Sequence, residues 1–335
     1  MEINTPTAPM IDLSRHQDGS SDTSAFARDV AEGLSTKYKT LPSRYFYDGT
    51  GSRLFQQIMD LPEYYLTRSE LEVLTQNKKN MAGQFSQGGP FHLIDLGAGD
   101  ALKTKLLLQE LTAQQRNFDY VPVDISKDAM LELSDSLQQE LPQLKVEAVV
   151  GEYFQALEWL QENKDGRKVV LFLGSNIGNF KAEESITFLQ SIRSYLHAGD
   201  QLLMGVDLRK DPGVILKAYN DEAGITAAFN LNLLDRINRE LGADFNVDQF
   251  CHHAIYNPLE GVMRSFLVSK QAQDVHISEA GLTVHFDAWE AIHTENSYKY
   301  SIPQVEELGR QCGFAVDTVF YDRQKGFADV LFSVA

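Results

Sequence analysis

From Phe91 onward, short β-branched runs alternate with amphipathic stretches along the chain. The runs are FHLIDLGA, YVPVDIS, VEAVVGEY, KVVLFLGSN and DQLLMGVDL. Between them KTKLLLQELTAQQ and KDAMLELSDSLQQEL carry apolar residues at three- and four-residue spacing, which predicts helices. Strands alternating with helices predict a parallel sheet covered on its faces. After Leu208 the alternation stops. The next stretch predicts one long helix in ILKAYNDEAGITAAFNLNLLDRINREL and then strands in MRSFLVSKQ and LTVHFDAW. A helix at PQVEELGRQCG follows, and AVDTVFYD, a turn at QKG and ADVLFSVA close the chain as an antiparallel pair. The pattern therefore predicts five parallel strands and a C-terminal hairpin, interrupted by an insertion. Upstream, residues 1–24 are rich in Ser, Thr, Asp and Pro without apolar periodicity, so they are expected to be a mobile arm. Thr67 followed by Glu70 reads as a capping box opening a helix.

The length of 335 residues suits two domains, and 43% apolar residues are enough for a sizeable core. Lys+Arg against Asp+Glu is 30 − 47 = −17, a charge that repels phosphate backbones and anionic membranes. Neither nucleic acid nor a membrane is expected as a partner. No apolar run reaches about 18 residues, the length of a membrane span, and no secretory signal is visible, which predicts a cytoplasmic protein. Cys251 and Cys312 form no metal-binding or disulfide pattern. The neighbouring His252 and His253 would point to opposite faces of a strand and chelate poorly, so no metal is expected.

IDLGAGDALKTKLL reads as a strand, a glycine turn and a helix start. Gly97 and Gly99 permit a left-handed backbone and close approach to a ligand. Leu102 stands where the dinucleotide fingerprint has its third glycine, and Asp124 ends the next strand, where a carboxylate can accept the ribose hydroxyls of an adenosine. A nucleoside fits better than a dinucleotide. Five parallel strands finished by an antiparallel pair are the layout of class I S-adenosylmethionine methyltransferases, an α/β, Rossmann-like fold. A nicotinamide dehydrogenase is the weaker alternative. Glu152 and Tyr153 fall at the third strand end, where an adenine edge and face need partners, and Ser175, Asn176 and Asn179 at the fourth. Asp95, just before the glycine turn, either meets the donor's amino group through water or orients the loop.

Blocks across residues 41–301 carry a family resemblance: LPSRYFYDGTGSRLFQQIMDLPEYYLTRSELEVL, IDLGAGDALKTKLLL, LFLGSNIGNF, VDLRKDPGVILKAYNDEAGITAAFNLNLL, INRELGADF and HTENSYKYS. Together they resemble the histidine Nα-methyltransferases of ergothioneine biosynthesis. The resemblance implies a methyltransferase core of residues 69–209 and 300–335. It also implies a discontinuous α+β substrate domain of residues 25–68 and 210–299. S-adenosylmethionine is the implied co-substrate, held by Gly97, Lys103 and Asp124, with Glu152 and Tyr153 at the adenine; the family's usual pair there is Asp-Phe.

By the same resemblance, Tyr64, Asn179 and Tyr219 anchor the α-carboxylate and α-amine of a free amino acid, and Tyr47 borders the amine. Tyr47 and Asn179 are the implied catalytic pair, and Glu295 and Ser297 meet the imidazole. Without the resemblance, Glu295 would read as a surface carboxylate. A methionine bordering the imidazole pocket in actinobacterial members aligns with Ser265, and a two-residue shift of register would bring Met263 there instead. Serine would leave a roomier, more polar side pocket. The implied activity is trimethylation of L-histidine to hercynine by a monomer or weak homo-oligomer. The alternatives are N-methylation of another amino acid or amine, such as tryptophan or a histidine derivative, or a non-catalytic amino-acid-binding module.

Overall fold

The computed structural model describes residues 10–13 and 22–335. In chain order the first elements are β1 (Met10–Asp12), α1 (Asp22–Leu34), α2 (Gly49–Asp60), α3 (Tyr65–Phe85), β2 (Phe91–Leu96), α4 (Thr104–Ala113) and β3 (Phe118–Asp124). There follow α5 (Lys127–Glu140), β4 (Ala148–Val150), α6 (Tyr153–Asn163), β5 (Arg167–Phe172), α7 (Ala182–Ser194) and β6 (Gln201–Asp207). The insertion holds α8 (Pro212–Ala218), α9 (Ile225–Leu241), β7 (Phe250–Asn257), β8 (Val262–Ser269), β9 (Gln273–Ile277), β10 (Leu282–Phe286) and β11 (Ala291–Tyr298). The chain ends with α10 (Ile302–Gln311), β12 (Phe314–Tyr321) and β13 (Phe327–Val334). Two compact units emerge, one of residues 10–13, Arg68–Leu208 and Tyr300–Ala335, the other of residues 22–67 and Arg209–Lys299.

The first unit is built on an eight-stranded sheet of order β1-β4-β3-β2-β5-β6-β13-β12. β1 to β6 run parallel, and β13 lies antiparallel to both β6 and β12. The predicted parallel strands and hairpin are present, with one strand more. β1 pairs with β4 in register, Met10 opposite Ala148, and Leu13 N donates to Val150 O. The mobile arm expected over residues 1–24 is thus corrected at its centre, because a three-residue MID run is too short for periodicity to reveal. α1 already starts at Asp22; residues 1–9 and 14–21, the rest of that arm, lie outside the described residues. Leu107, Leu108 and Leu111 of α4 and Met130, Leu133 and Leu137 of α5 join α3 in one core. Ala156, Leu157 and Leu160 of α6, Phe188 and Leu189 of α7 and Val305 of α10 lie in the other. This is the class I methyltransferase arrangement: a mostly parallel sheet, strands buried on both faces, ligand-binding loops at the carboxyl ends.

In the second unit β7, β8 and β11 form an antiparallel sheet with β8 central, and β9 pairs with β10. Phe229, Leu233, Leu234, Ile237 and Leu241 recur at helical spacing along α9 and pack with Phe250, Leu267 and Ile292 of the strands. The single helix expected from Ile215 onward is two. Asp221 accepts the amides of Ile225 and Thr226 at 2.8 Å each, and Gly224 takes a left-handed φ of 74° before α9 starts. Gly224 is the N-cap residue, and the Asp221 carboxylate satisfies the first two amides of α9, so one helix stops and another begins. In this unit β9 and β11 escaped the sequence reading as elements, and β7 entered it only as the strand carrying His252 and His253. No helix among the described residues is long and apolar enough to cross a membrane.

Candidate active site

The carboxyl ends of β2 and β3 bring the glycine turn and Asp124 together. After Leu96 the backbone turns through Gly97 (φ 76°) and Gly99 (φ 53°). Asp124, at the end of the neighbouring strand, accepts Gly99 N at 3.0 Å with one oxygen and Ser126 N at 2.9 Å with the other. Its burial raises the carboxyl above its ordinary value, opposed by these amides. A Cβ added at Gly99 would meet nothing within 4 Å, so the turn faces open space beside an anchored carboxylate, which fits a nucleoside donor.

Glu152 and Tyr153 part company. Glu152 is exposed at the start of α6, whereas the Tyr153 ring packs 5.6 Å from both Phe172 and Phe188. The Tyr153 hydroxyl lies against the turn, where a Cβ at Gly97 would come within 2.8 Å of it. Burial raises this phenol well above its usual range. Asp95 accepts the Tyr120 hydroxyl at 2.8 Å and also bonds Thr104, and burial pushes its carboxyl up to about 6.

Lys103 leaves the turn for the protein interior. Its Nζ lies 2.6 Å from Oε2 of Glu70, whose Oε1 accepts Gly174 N at 2.7 Å. Glu70 is 1% exposed. Its expected capping partnership with Thr67 is therefore corrected: α3 starts earlier, at Tyr65, and the Glu70 side chain points into the sheet's end. Gly205 on β6 makes the room, since a Cβ there would fall 2.2 Å from Glu70 Oε1. Asp329 on β13 faces the same spot, and burial together with the Glu70 charge raises its carboxyl well above the usual range. Sequence reasoning missed this carboxylate pair because its members lie at opposite ends of the chain. At the end of β5, Gly174 and Ser175 both take left-handed φ, 82° and 59°, into a 3-10 turn over Asn176–Asn179 that leaves Asn179 half-buried.

The second unit holds Tyr47, Tyr64, Tyr219, Ser265, Glu295 and Ser297 of the residues expected around an amino acid, whereas Asn179 belongs to the first. Tyr47 follows a 3-10 turn at Ser43–Phe46 and is 39% exposed, whereas Tyr64 and Tyr219 are buried. Their rings belong to one aromatic cluster: Tyr47 lies 5.6 Å from Phe55 and 5.8 Å from Phe229, Phe55 lies 6.2 Å from Tyr64, and Tyr64 lies 6.4 Å from Tyr219. Phe55 and Phe229, which link these tyrosines, were read only as parts of longer blocks.

A bulge in β11 between His293 and Glu295 sets the register that follows. Glu295 lies directly opposite Ser265, and Ser297 directly opposite Met263, so all four side chains share a face of the sheet. Both candidates for the side-pocket position thus border the Glu295–Ser297 strand, with Ser265 the one facing Glu295. Ser297 Oγ lies 2.8 Å from Tyr219 Oη, and Lys299 Nζ donates to both at 2.8 Å. Glu295 is not the surface carboxylate that its sequence surroundings suggest. Burial pushes its carboxyl up to about 7, with Lys299 pulling it back. Lys299 itself was overlooked, although Glu295, Ser297 and Lys299 alternate as one strand face should.

The model of the family described as "histidine-specific methyltransferase, SAM-dependent" matches residues 26–334. The chain belongs to this family. The histidine-specific methyltransferases similar to it include the histidine N-alpha-methyltransferase of Mycolicibacterium smegmatis, 37% identical over 87% of this chain and 89% of that protein. A Mycobacterium tuberculosis protein of the same name is 38% identical over 82% and 84%. Ergothioneine biosynthesis protein 1 of Neurospora crassa is 32% identical over 82% of this chain but only 31% of its own length. Membership accounts for the class I sheet and makes the chain an S-adenosylmethionine-dependent methyltransferase. Among the described residues no group of three or more His, Cys, Asp or Glu is placed to hold a metal ion.

Proposed function

We propose that this enzyme transfers methyl groups from S-adenosylmethionine to the α-amine of free L-histidine, forming Nα,Nα,Nα-trimethylhistidine in ergothioneine biosynthesis. The observation that carries the choice of histidine is Glu295. Burial pushes its carboxyl up to about 7, and with Ser297 two positions along the strand on the same face it is matched to an imidazole that itself titrates near neutrality. The names of the mycobacterial relatives support the same substrate and reaction.

In this reading Gly97, Lys103 and Asp124 hold the donor, with Glu152 and Tyr153 serving its adenine end. Tyr64, Asn179 and Tyr219 anchor the amino acid, Ser265 borders its side chain, and Glu295 and Ser297 take the imidazole. The donor supplies an electrophilic methyl on a sulfonium; the carbon–sulfur bond breaks as the carbon–nitrogen bond forms. The amine must be neutral to attack, and each pKa unit above working pH costs about 1.4 kcal/mol. Tyr47 and Asn179 border the nitrogen with a hydroxyl and an amide carbonyl, acceptors that favour loss of its proton. Alignment of the reacting atoms is the main lever and is worth up to about 7–11 kcal/mol. The aromatic rim of Tyr47, Phe55 and Phe229 suits a nitrogen that becomes a fixed cation after three methylations. The enzyme works in the cytoplasm as a monomer or weak homo-oligomer, and the net charge of −17 agrees with a small-molecule partner.

The test is a mass-spectrometric methylation assay with purified protein, S-adenosylmethionine and a pool of the twenty amino acids. Trimethylated histidine is the expected main product. Methylation of tryptophan or another amino acid in its place, or of none, would overturn the substrate assignment.

A further inference from the structure

β11 does not alternate as a regular strand. His293 lies opposite Phe266 and Glu295 opposite Ser265, the neighbouring residue of β8, so one residue of β11, Thr294, is extra. Neighbouring β8 residues point to opposite faces, and His293 and Glu295 therefore do so too. The His293 ring lies 5.4 Å from that of Phe266, and its Nε2 is 3.2 Å from Asn296 Oδ1, whereas Glu295 joins the face of Ser265 and Met263. A straight strand in the register of His293 would set Thr294 opposite Ser265 and Glu295 opposite Arg264, on the face of Phe266.

Thr294 is 2% exposed, and its hydroxyl donates to Asn230 Oδ1 at 2.9 Å and to Ser265 O at 3.1 Å. One proton is thus shared between α9 and the β8 residue that Glu295 faces. Asn230 is buried inside α9, where asparagine is a poor helix former. Its Nδ2 donates to Thr226 O at 3.1 Å, one turn back. That carbonyl only accepts, so the amide is oriented with Oδ1 toward Thr294. On the other edge of β11, His293 N donates to Lys39 O and Leu41 N to His293 O, each at 2.9 Å. The bulge is held from both sides: backbone pairing fixes the residue before it, and a hydrogen bond ties its own side chain to a helix.

We propose that Asn230 is a positioning residue that acts through Thr294: their hydrogen bond holds the bulge of β11 and so keeps Glu295 on the face where it meets the side chain of the bound amino acid. The proposal rests on the function inferred above, in which Glu295 takes the imidazole, and extends it to two residues that act on the substrate only through Glu295.

The test has one readout that needs no substrate and one that does. The Glu295 carboxyl is titrated by carbon-13 NMR in protein labelled at its glutamate side chains, with the signal assigned through Glu295→Gln. Lys299, Tyr219, Tyr256 and His252, titratable groups on the same side of the sheet, are unchanged in every other variant. In Thr294→Val, which keeps the shape and removes the donor, the midpoint is expected about one pH unit or more below that of wild type, because the carboxyl leaves the Ser265 face for the neighbourhood of Arg264. Asn230→Leu should do the same, and Thr294→Ser, which restores the hydroxyl, should keep the wild-type midpoint. A wild-type midpoint in both Thr294→Val and Asn230→Leu would overturn the proposal. In calorimetry each of those two variants should raise the histidine dissociation constant about fivefold or more, with S-adenosylhomocysteine affinity within about threefold of wild type. In a Glu295→Gln background Thr294→Val should add less than about twofold, since the two act as one unit; the full loss there would overturn action through Glu295. If Thr294→Val does not fold, Asn230→Leu is read by the same two measures. A wild-type protein that ignores histidine would refute the substrate assignment alone, because the carboxyl titration still reads the bulge.

Discussion

Asp124 meets Gly99 across 25 residues and one pair of neighbouring parallel strands, whereas Tyr219 meets Ser297 and Lys299 across 78 and 80. The two regions use different means. At the sheet end, the groups proposed to face the donor are fixed by local geometry: left-handed glycines, a strand terminus and backbone amides donating to one carboxylate. In the second unit, the side chains come from three loops, two helices and two strands, and a β-bulge decides which of the strand residues share a face. Donor binding is a generic task served by a compact local motif. Choosing an acceptor needs several polar groups at set distances, which only long-range pairing supplies.

The largest effect expected is at Glu70, where the two kinds of organisation meet within the first unit. Glu70→Ala removes the buried partner of Lys103 and of the Gly174 amide, and should cost about 3–5 kcal/mol of stability in urea unfolding. A loss below about 1 kcal/mol would mean that this carboxylate does not brace the sheet end.

Glu295 sharpens the comparison from the other side. Its carboxyl is raised from 4.5 to about 7, so the folded state holds a proton that the unfolded chain releases. The stability this gives is fully present below about pH 4.5 and is lost as pH rises through 7, a change of order 3 kcal/mol. Glu295→Gln should flatten that part of the stability–pH curve; an identical curve in the variant would show the carboxyl to be ordinary. In binding, Glu295→Ala should weaken histidine by about 1.5–3 kcal/mol, the scale of a charge-assisted hydrogen bond, while S-adenosylhomocysteine affinity stays put. Asp124→Ala should do the reverse, raising the S-adenosylhomocysteine dissociation constant about tenfold or more in a protein that still folds. Equal donor affinity would take Asp124 out of the donor site.

By itself the sequence determined the class of the first unit: its parallel strands are continuous apolar runs bounded by turns, and the closing hairpin follows from a tight QKG connection. It also placed the glycine turn beside the acid at the next strand's end, because glycines that need positive φ and a strand terminus keep their meaning locally. Family blocks named Tyr47, Tyr64, Tyr219, Glu295 and Ser297 as candidates without saying how they meet. Only the tertiary structure decided that Glu295 is half-buried, that Ser265 faces it across the ladder, that Glu70 pairs with Lys103, and that Lys299 joins Tyr219 to Ser297. The reason is physical. Burial and hydrogen bonding are set by whichever distant segments pack against a residue, and a β-bulge shifts a strand's face by one position, which period-two alternation in the sequence does not record.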